Sequence, residues 1–240
     1  MIRHLKAECL LTLRILFRQP GFWIPTVLFP GMLYAFFGAQ VPTVAVPFAM
    51  ASFAIYAVVG VGFFQFGVSV AQDRESPFAT WKKGLPGHAS AQWIARVLAS
   101  LVFISFSIVF VIVLAHLMTD ISLNAAAWSR LGMVCALCAI TSTFMGIALG
   151  SFCSARAAVP LANLVYLPLA YLGGLWLPPQ VMPAAINSIS QWTPTRAMGE
   201  LGWAAVSGTP FDTGYAMSLA LWTLAALGLV VLGTRLPSRR

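Results

Sequence analysis

Charge is what this sequence has least of: only 8% of its 240 residues are Asp, Glu, Lys or Arg. Soluble domains carry about a quarter, so no water-exposed globular surface can be built from this chain. The long apolar stretches hold no Asp, Glu or Lys at all. That removes the ionisable relay that proton-coupled carriers place near the bilayer midplane, and His116, near one end of an apolar stretch, is the one titratable candidate left. No G-x-x-x-x-G-K-[ST] cradle is present, so the chain does not bind ATP in the usual way. Neither H-E-x-x-H nor another metal spacing occurs, and no Ser or Cys nucleophile has a base beside it, which argues against a membrane-embedded transferase. Four cysteines (Cys9, Cys135, Cys138, Cys153) make no disulfide framework. Cys135 and Cys138 have C-x-x-C spacing but sit in an apolar run without His or acidic neighbours, so they read as small buried hydrophobes. The net charge of +8 does not point to nucleic acid, because the basic residues sit at the ends of apolar runs rather than on one polar face. The sequence predicts no cleavable signal peptide, since the first apolar run is too long for an h-region of about 7–15 residues.

What is present is hydrophobic length. The expectation is an all-α integral membrane protein forming a single transmembrane domain over 1–240, with six transmembrane helices at about 22–40, 47–70, 97–118, 130–151, 159–177 and 213–234. Ahead of them, residues 1–18 place Ile2, Leu5, Cys9, Leu13 and Leu16 on one helical face and Arg3, Lys6, Arg14 and Arg18 on others. This predicts an amphipathic interfacial helix in the headgroup region, closed by Gln19-Pro20-Gly21. Pro25 and Pro30 predict a kink in the first span. In the fourth, Ser142, Gly146 and Gly150 recur every four residues, a small-xxx-small pattern that lets two helices approach closely without saying which. Residues 178–212 are more polar and interrupted by proline. With Trp192, Pro194 and Arg196 they predict short helices lying along the outer surface or re-entering it, packed on protein where the backbone is irregular.

The densest charge lies at 71–96, where Asp73, Arg74, Glu75, Lys82, Lys83, His88 and Arg96 stand among Pro77, Gly84, Pro86 and Gly87. A loop of this kind belongs in water. With both termini cytoplasmic, all the Lys and Arg except Arg130 and Arg196 fall on the cytoplasmic side, which sets the expected orientation.

Several features in order carry a family resemblance. They are Arg18-Gln19-Pro20 with Phe29-Pro30, Asp73-Arg74-Glu75 followed by Trp81 and Leu85-Pro86, and Leu177-Pro178 through Pro194 before the last span. Over essentially its whole length the chain resembles ABC-2 type permeases, the membrane subunits of ATP-binding cassette exporters. It departs from them after Glu75, where relatives commonly have Gly-Thr and this chain has Ser76-Pro77-Phe78, which leaves the start of a short loop helix open. The resemblance implies a permease subunit in the bacterial cytoplasmic (inner) membrane, with no cofactor bound by this chain. A second permease copy, identical or a sibling, and two copies of a cytoplasmic ATPase carrying ATP and Mg would complete the complex. It implies that the 71–96 loop, through Asp73, Arg74, Glu75, Trp81, Leu85 and Pro86, couples to that ATPase. The cargo would be an amphiphile of the drug, lipid or lipid-linked glycan class. The alternative is a membrane anchoring or assembly subunit that transports nothing.

Overall fold

The computed structural model describes residues 2–76 and 89–235, all in helices and short connections, with no strand among the described residues. Helix α1 (Ile2–Phe17) is followed by α2 (Pro20–Leu33), which runs on as a π-helical turn over Tyr34–Gly38. A second rod comprises a 3-10 turn at Thr43–Ala45, α3 (Val46–Val61), a π-helical segment at Gly62–Val68 and α4 (Ser69–Glu75). Then come α5 (Ala89–Met118), α6 (Ala125–Phe152), α7 (Ala155–Leu172), the short α8 (Ala184–Ser190), α9 (Pro194–Ser207) and α10 (Thr213–Arg235).

Among the described residues, five stretches are long and apolar enough to cross a membrane: Thr43–Glu75, Ile94–Met118, Ala125–Phe152, Ala155–Leu172 and Thr213–Gly233. The remaining apolar helix, Trp23–Gly38, is shorter. The rod holding α3 sits at the centre. Its residues Met50 to Val61 are all buried, as expected of a helix that is hydrophobic all round. Around it pack α2, α5, α6 and α9, while α7 and α10 turn large faces outward.

Local chemistry explains the joints. Pro20 occupies the first turn of α2, where a missing N–H is harmless. Pro30 has no N–H to give the Thr26 carbonyl, and the Ser107 hydroxyl of α5 donates into this gap, at 3.5 Å from the Thr26 oxygen and 3.2 Å from that of Val27. The helix therefore runs through both of its prolines and changes to π geometry only at Tyr34. Polar side chains tie other helices together. Thr141 and Thr223 join α6 to α10 at 2.7 Å, the Trp203 indole donates to Ser52 Oγ at 2.7 Å, and Tyr166 donates to the Tyr56 carbonyl at 2.9 Å. Each such bond contributes about 0.6 kcal/mol in membrane proteins.

The predicted boundaries shift in two places. The stretch 71–96 is not a loop throughout: 71–75 are the last turns of the second rod, and 89–96 are the first turns of α5. Charge among Pro and Gly reads as loop, yet helices longer than the hydrocarbon core can carry charge on their overhanging turns. The fifth helix begins at Ala155 and ends at Leu172, because Ser154 caps its start and Gly174, at φ 75°, turns the chain out of it. Of the two arrangements expected for 178–212, along the surface or re-entering it, α9 is packed into the bundle. Ala197, Met198 and Ala205 are fully buried there, as the small residues at one face admit α3 closely. In α1, Leu13 and Leu16 pack on the core while Leu10, Leu11 and Ile15 face outward.

Candidate functional site

The charged end of the bundle is built by two helices that overrun the bilayer. At about 1.5 Å per residue, the 33-residue stretch Thr43–Glu75 spans about 50 Å against a hydrocarbon core of roughly 30 Å. At its end the Arg96 guanidinium donates to the Asp73 carboxylate, linking the last turn of α4 to α5. With side chains 25% and 56% exposed, the pair lies in high dielectric and contributes no more than about 1 kcal/mol. It aligns two helix ends rather than holding the fold. Glu75 is exposed and, among the described residues, makes no ion pair. Arg74 is half-buried. Ala71 packs against Ala158 and Ala162, with Cys153 beside them, so α4 ends next to the α6–α7 turn. Burial pushes the Cys153 thiol up, and the charges of Arg74 and Glu75 are near enough to bear on it. Trp81, Leu85 and Pro86 lie outside the described residues, as do Lys82, Lys83 and His88.

The partner of the small-residue stripe is the π-helical segment Gly62–Val68. A Cβ at Gly146 would press into the carbonyl oxygen of Gly62, and one at Gly150 into that of Gly67. A Cβ at Gly62 would meet Ser142 Oγ at 2.6 Å. Glycine is thus required on both sides of one seam.

At the other end, Trp192 is 79% exposed, while its carbonyl accepts from the Trp222 indole at 3.0 Å. Thr193 caps α9 and Pro194 fills its first position. Arg196 is buried and paired. It donates to Glu200 at 2.8 Å, to Asn187 Oδ1 at 3.0 Å and to Ser190 Oγ at 3.1 Å, with its guanidinium 5.8 Å from the Trp203 ring centre. A buried charge needs such pairing, and here it fixes α8 against α9.

Two cavities open between the helices. One, of about 620 Å³, lies between the start of the second rod and α9, where Glu200, Asp212, Trp176, Trp203 and Tyr215 line it. The other, of about 560 Å³, lies between α2, the second rod and α7. Among the described residues that line the second, none is charged: its polar groups are Gln19, Thr26, Tyr56, Gln65, Ser69, Gln72, Asn163 and Tyr166. Gln65 is 1% exposed, and neither its Oε1 nor its Nε2 has a protein partner. In the sequence this residue stands out little, because charge is what marks a site within an apolar run. The available signal was a lone carboxamide inside Gly62–Val68. Among the described residues no group of three His, Cys, Asp or Glu could hold a metal.

The family model described as "ABC-2 type transporter" matches residues 8–205. The chain is also similar to a protein of Bacillus subtilis (strain 168) described as "Putative transport permease YvfS", at 29% identity over 161 residues. That match covers 65% of this chain and 64% of the relative, so the chain spans just under two thirds of that relative's length.

Proposed function

Because the chain belongs to the ABC-2 type transporter family, we propose that this multi-pass transporter permease is one half of the membrane part of an ATP-driven exporter. It would pair with a second permease copy, identical or a sibling, and with two copies of a cytoplasmic ATPase that carries the ATP and Mg. The observation that carries the reading is the cavity of about 560 Å³ between α2, the second rod and α7, whose aromatic and neutral polar lining suits an amphiphile of the drug, lipid or lipid-linked glycan class. Force would enter at the other feature of the site, the overhanging ends of α4 and α5 that Asp73 and Arg96 align. Work needs an energy source, and the absence of a phosphate cradle from these 240 residues supports the reading that a separate ATPase supplies it.

Native mass measurement of the gently extracted complex should give an even number of permeases with an equal number of ATPases. Its hydrolysis should rise with an amphiphile, and the chain alone should hydrolyse nothing. A stable permease that captures no ATPase sinks the exporter reading, and capture without any transport favours an anchoring subunit.

The same reading includes six spans. The 14 residues of α2 and the five of its π-helical turn rise about 28 Å, close to the hydrocarbon thickness. The distribution of Lys and Arg supports both termini being cytoplasmic, with the α8–α9 segment at the outer face and α1 along the inner headgroups. In a cysteine-free background, Ser207→Cys should react with an impermeant maleimide from outside, and Ser76→Cys only after lysis. External labelling at position 76 would overturn this orientation.

A further inference from the structure

The lining of the α2–α7 cavity has a polarity of its own. Gln65 lies within a π-helical segment, a distortion that recurs at functional sites. Its side chain is almost wholly buried, yet neither of its polar atoms has a protein partner, while Tyr56 and Tyr166 stack on the same wall with ring centres 4.8 Å apart. In a bilayer no bulk water relieves such groups, and each specific orphan in a folded protein calls for an explanation. A packing role alone is a poor one, since leucine would fill similar space without leaving a donor and an acceptor unpaired.

The chemistry of the missing partner can be read from what is offered. A carboxamide presents a donor and an acceptor side by side, and a phenol can act as either. Gln19, Gln72 and Asn163 add more groups of the first kind, while Phe29 supplies an apolar face. No described lining residue is charged. A head group with a full charge would leave its hydration behind and find no counter-ion. Hydroxyl groups, which donate and accept at once, match the unpaired carboxamide of Gln65.

We propose that this cavity selects uncharged amphiphiles with hydroxyl-rich head groups, and that Gln65 is the residue that reads the head group. The proposal rests on the cavity being the transport site, and it adds the class of cargo.

The test uses the full chain in nanodiscs of zwitterionic lipid, with three diazirine-bearing probes of one chain length: octyl glucoside, octyltrimethylammonium and octyl sulfate. Octyl glucoside should cross-link to peptides carrying Phe29, Gln65 or Asn163, in competition with unlabelled octyl glucoside. The two ionic probes should label them roughly tenfold less, and Gln65→Leu should cut glucoside labelling roughly tenfold, the equivalent of one lost hydrogen bond. Equal labelling by the ionic probes overturns the proposal, as does unchanged glucoside labelling of a folded Gln65→Leu protein. If that variant fails to fold, the three-probe comparison on the unaltered chain still decides. Labelling needs no ATPase, so a chain that takes up the glucoside but never couples to an ATPase refutes the exporter reading alone. A coupled, transporting complex whose cavity stays unlabelled refutes only the selectivity.

Discussion

A leucine in place of Gly146 is expected to remove the protein from the membrane almost completely. The reason is the seam between α6 and the π-helical segment. At Gly146 a Cβ would run into the Gly62 carbonyl and stand 3.2 Å from the Gly67 backbone nitrogen. Both obstacles are main chain in the most deeply buried helix of the bundle, so no side-chain rotation relieves the clash. Overpacking a core where side chains can shift costs typically about 1–3 kcal/mol, and a clash with fixed backbone exceeds that. Total stabilities are only about 5–15 kcal/mol, so a whole isobutyl group wedged there takes most of the margin. Gly146→Ala should lose at least the lower part of that range and remain detectable as a lowered unfolding midpoint. Gly132, on the same helix, is the control, because a Cβ there meets nothing within 4 Å. Gly132→Ala should be neutral or slightly stabilising, as replacing a helical glycine removes up to about 1 kcal/mol of backbone entropy cost. Membrane abundance and thermal midpoint of the three variants check this. If Gly146→Leu accumulates and melts like the parent, the seam is not a close-packed contact.

This seam also shows where the sequence is legible and where it is not. Hydrophobic runs near 20 residues and their scarcity of charge are one-dimensional quantities, and the all-helical membrane fold follows from them. The stripe Ser142, Gly146 and Gly150 is likewise visible, but its partner is not. Gly62 and Gly67 are five apart, a spacing that reads as no pattern on a 3.6-residue helix and becomes one face only because Gly62–Val68 is π-helical. Arg196 misled for a related reason. A charge in a polar segment reads as surface, and its burial depends on Asn187 and Ser190 being brought over it by the α8–α9 turn, with Glu200 one turn along its own helix. Gln65 was hidden differently. A lone amide in an apolar run has no sequence signature of being unpaired, since pairing is a matter of which neighbours stand opposite. The charged end was legible as a cluster, yet its division into helix and connection was not, because length beyond the bilayer can continue as helix.

If the chain works with the separate ATPase proposed above, Glu75→Ala is expected to leave the protein folded and inserted but to uncouple it from that subunit. Asp73 and Glu75 are two residues apart on α4, so they point to different sides of the helix. Asp73 is taken up by Arg96, whereas Glu75 is exposed and makes no ion pair among the described residues. Of the two carboxylates, Glu75 is therefore the one available for a charge-assisted hydrogen bond to Lys or Arg on a docked subunit. Truncating one partner of such a pair, once desolvated, costs about 2–5 kcal/mol, which is roughly thirtyfold or more in affinity. Asp73→Asn, by contrast, removes only a surface pair and should change stability by no more than about 1 kcal/mol. Trp81→Ala should mimic Glu75→Ala if the segment that follows supplies the apolar centre of the same contact. Transport and substrate-stimulated hydrolysis should fall together in both variants, with basal hydrolysis by the ATPase retained. Membrane abundance, ATPase co-purification and transport, measured side by side with Asp73→Asn, separate docking from folding. Should Glu75→Ala and Trp81→Ala both bind the ATPase and transport at the parent rate, the charged end is a solvated connector and force must reach the helices elsewhere.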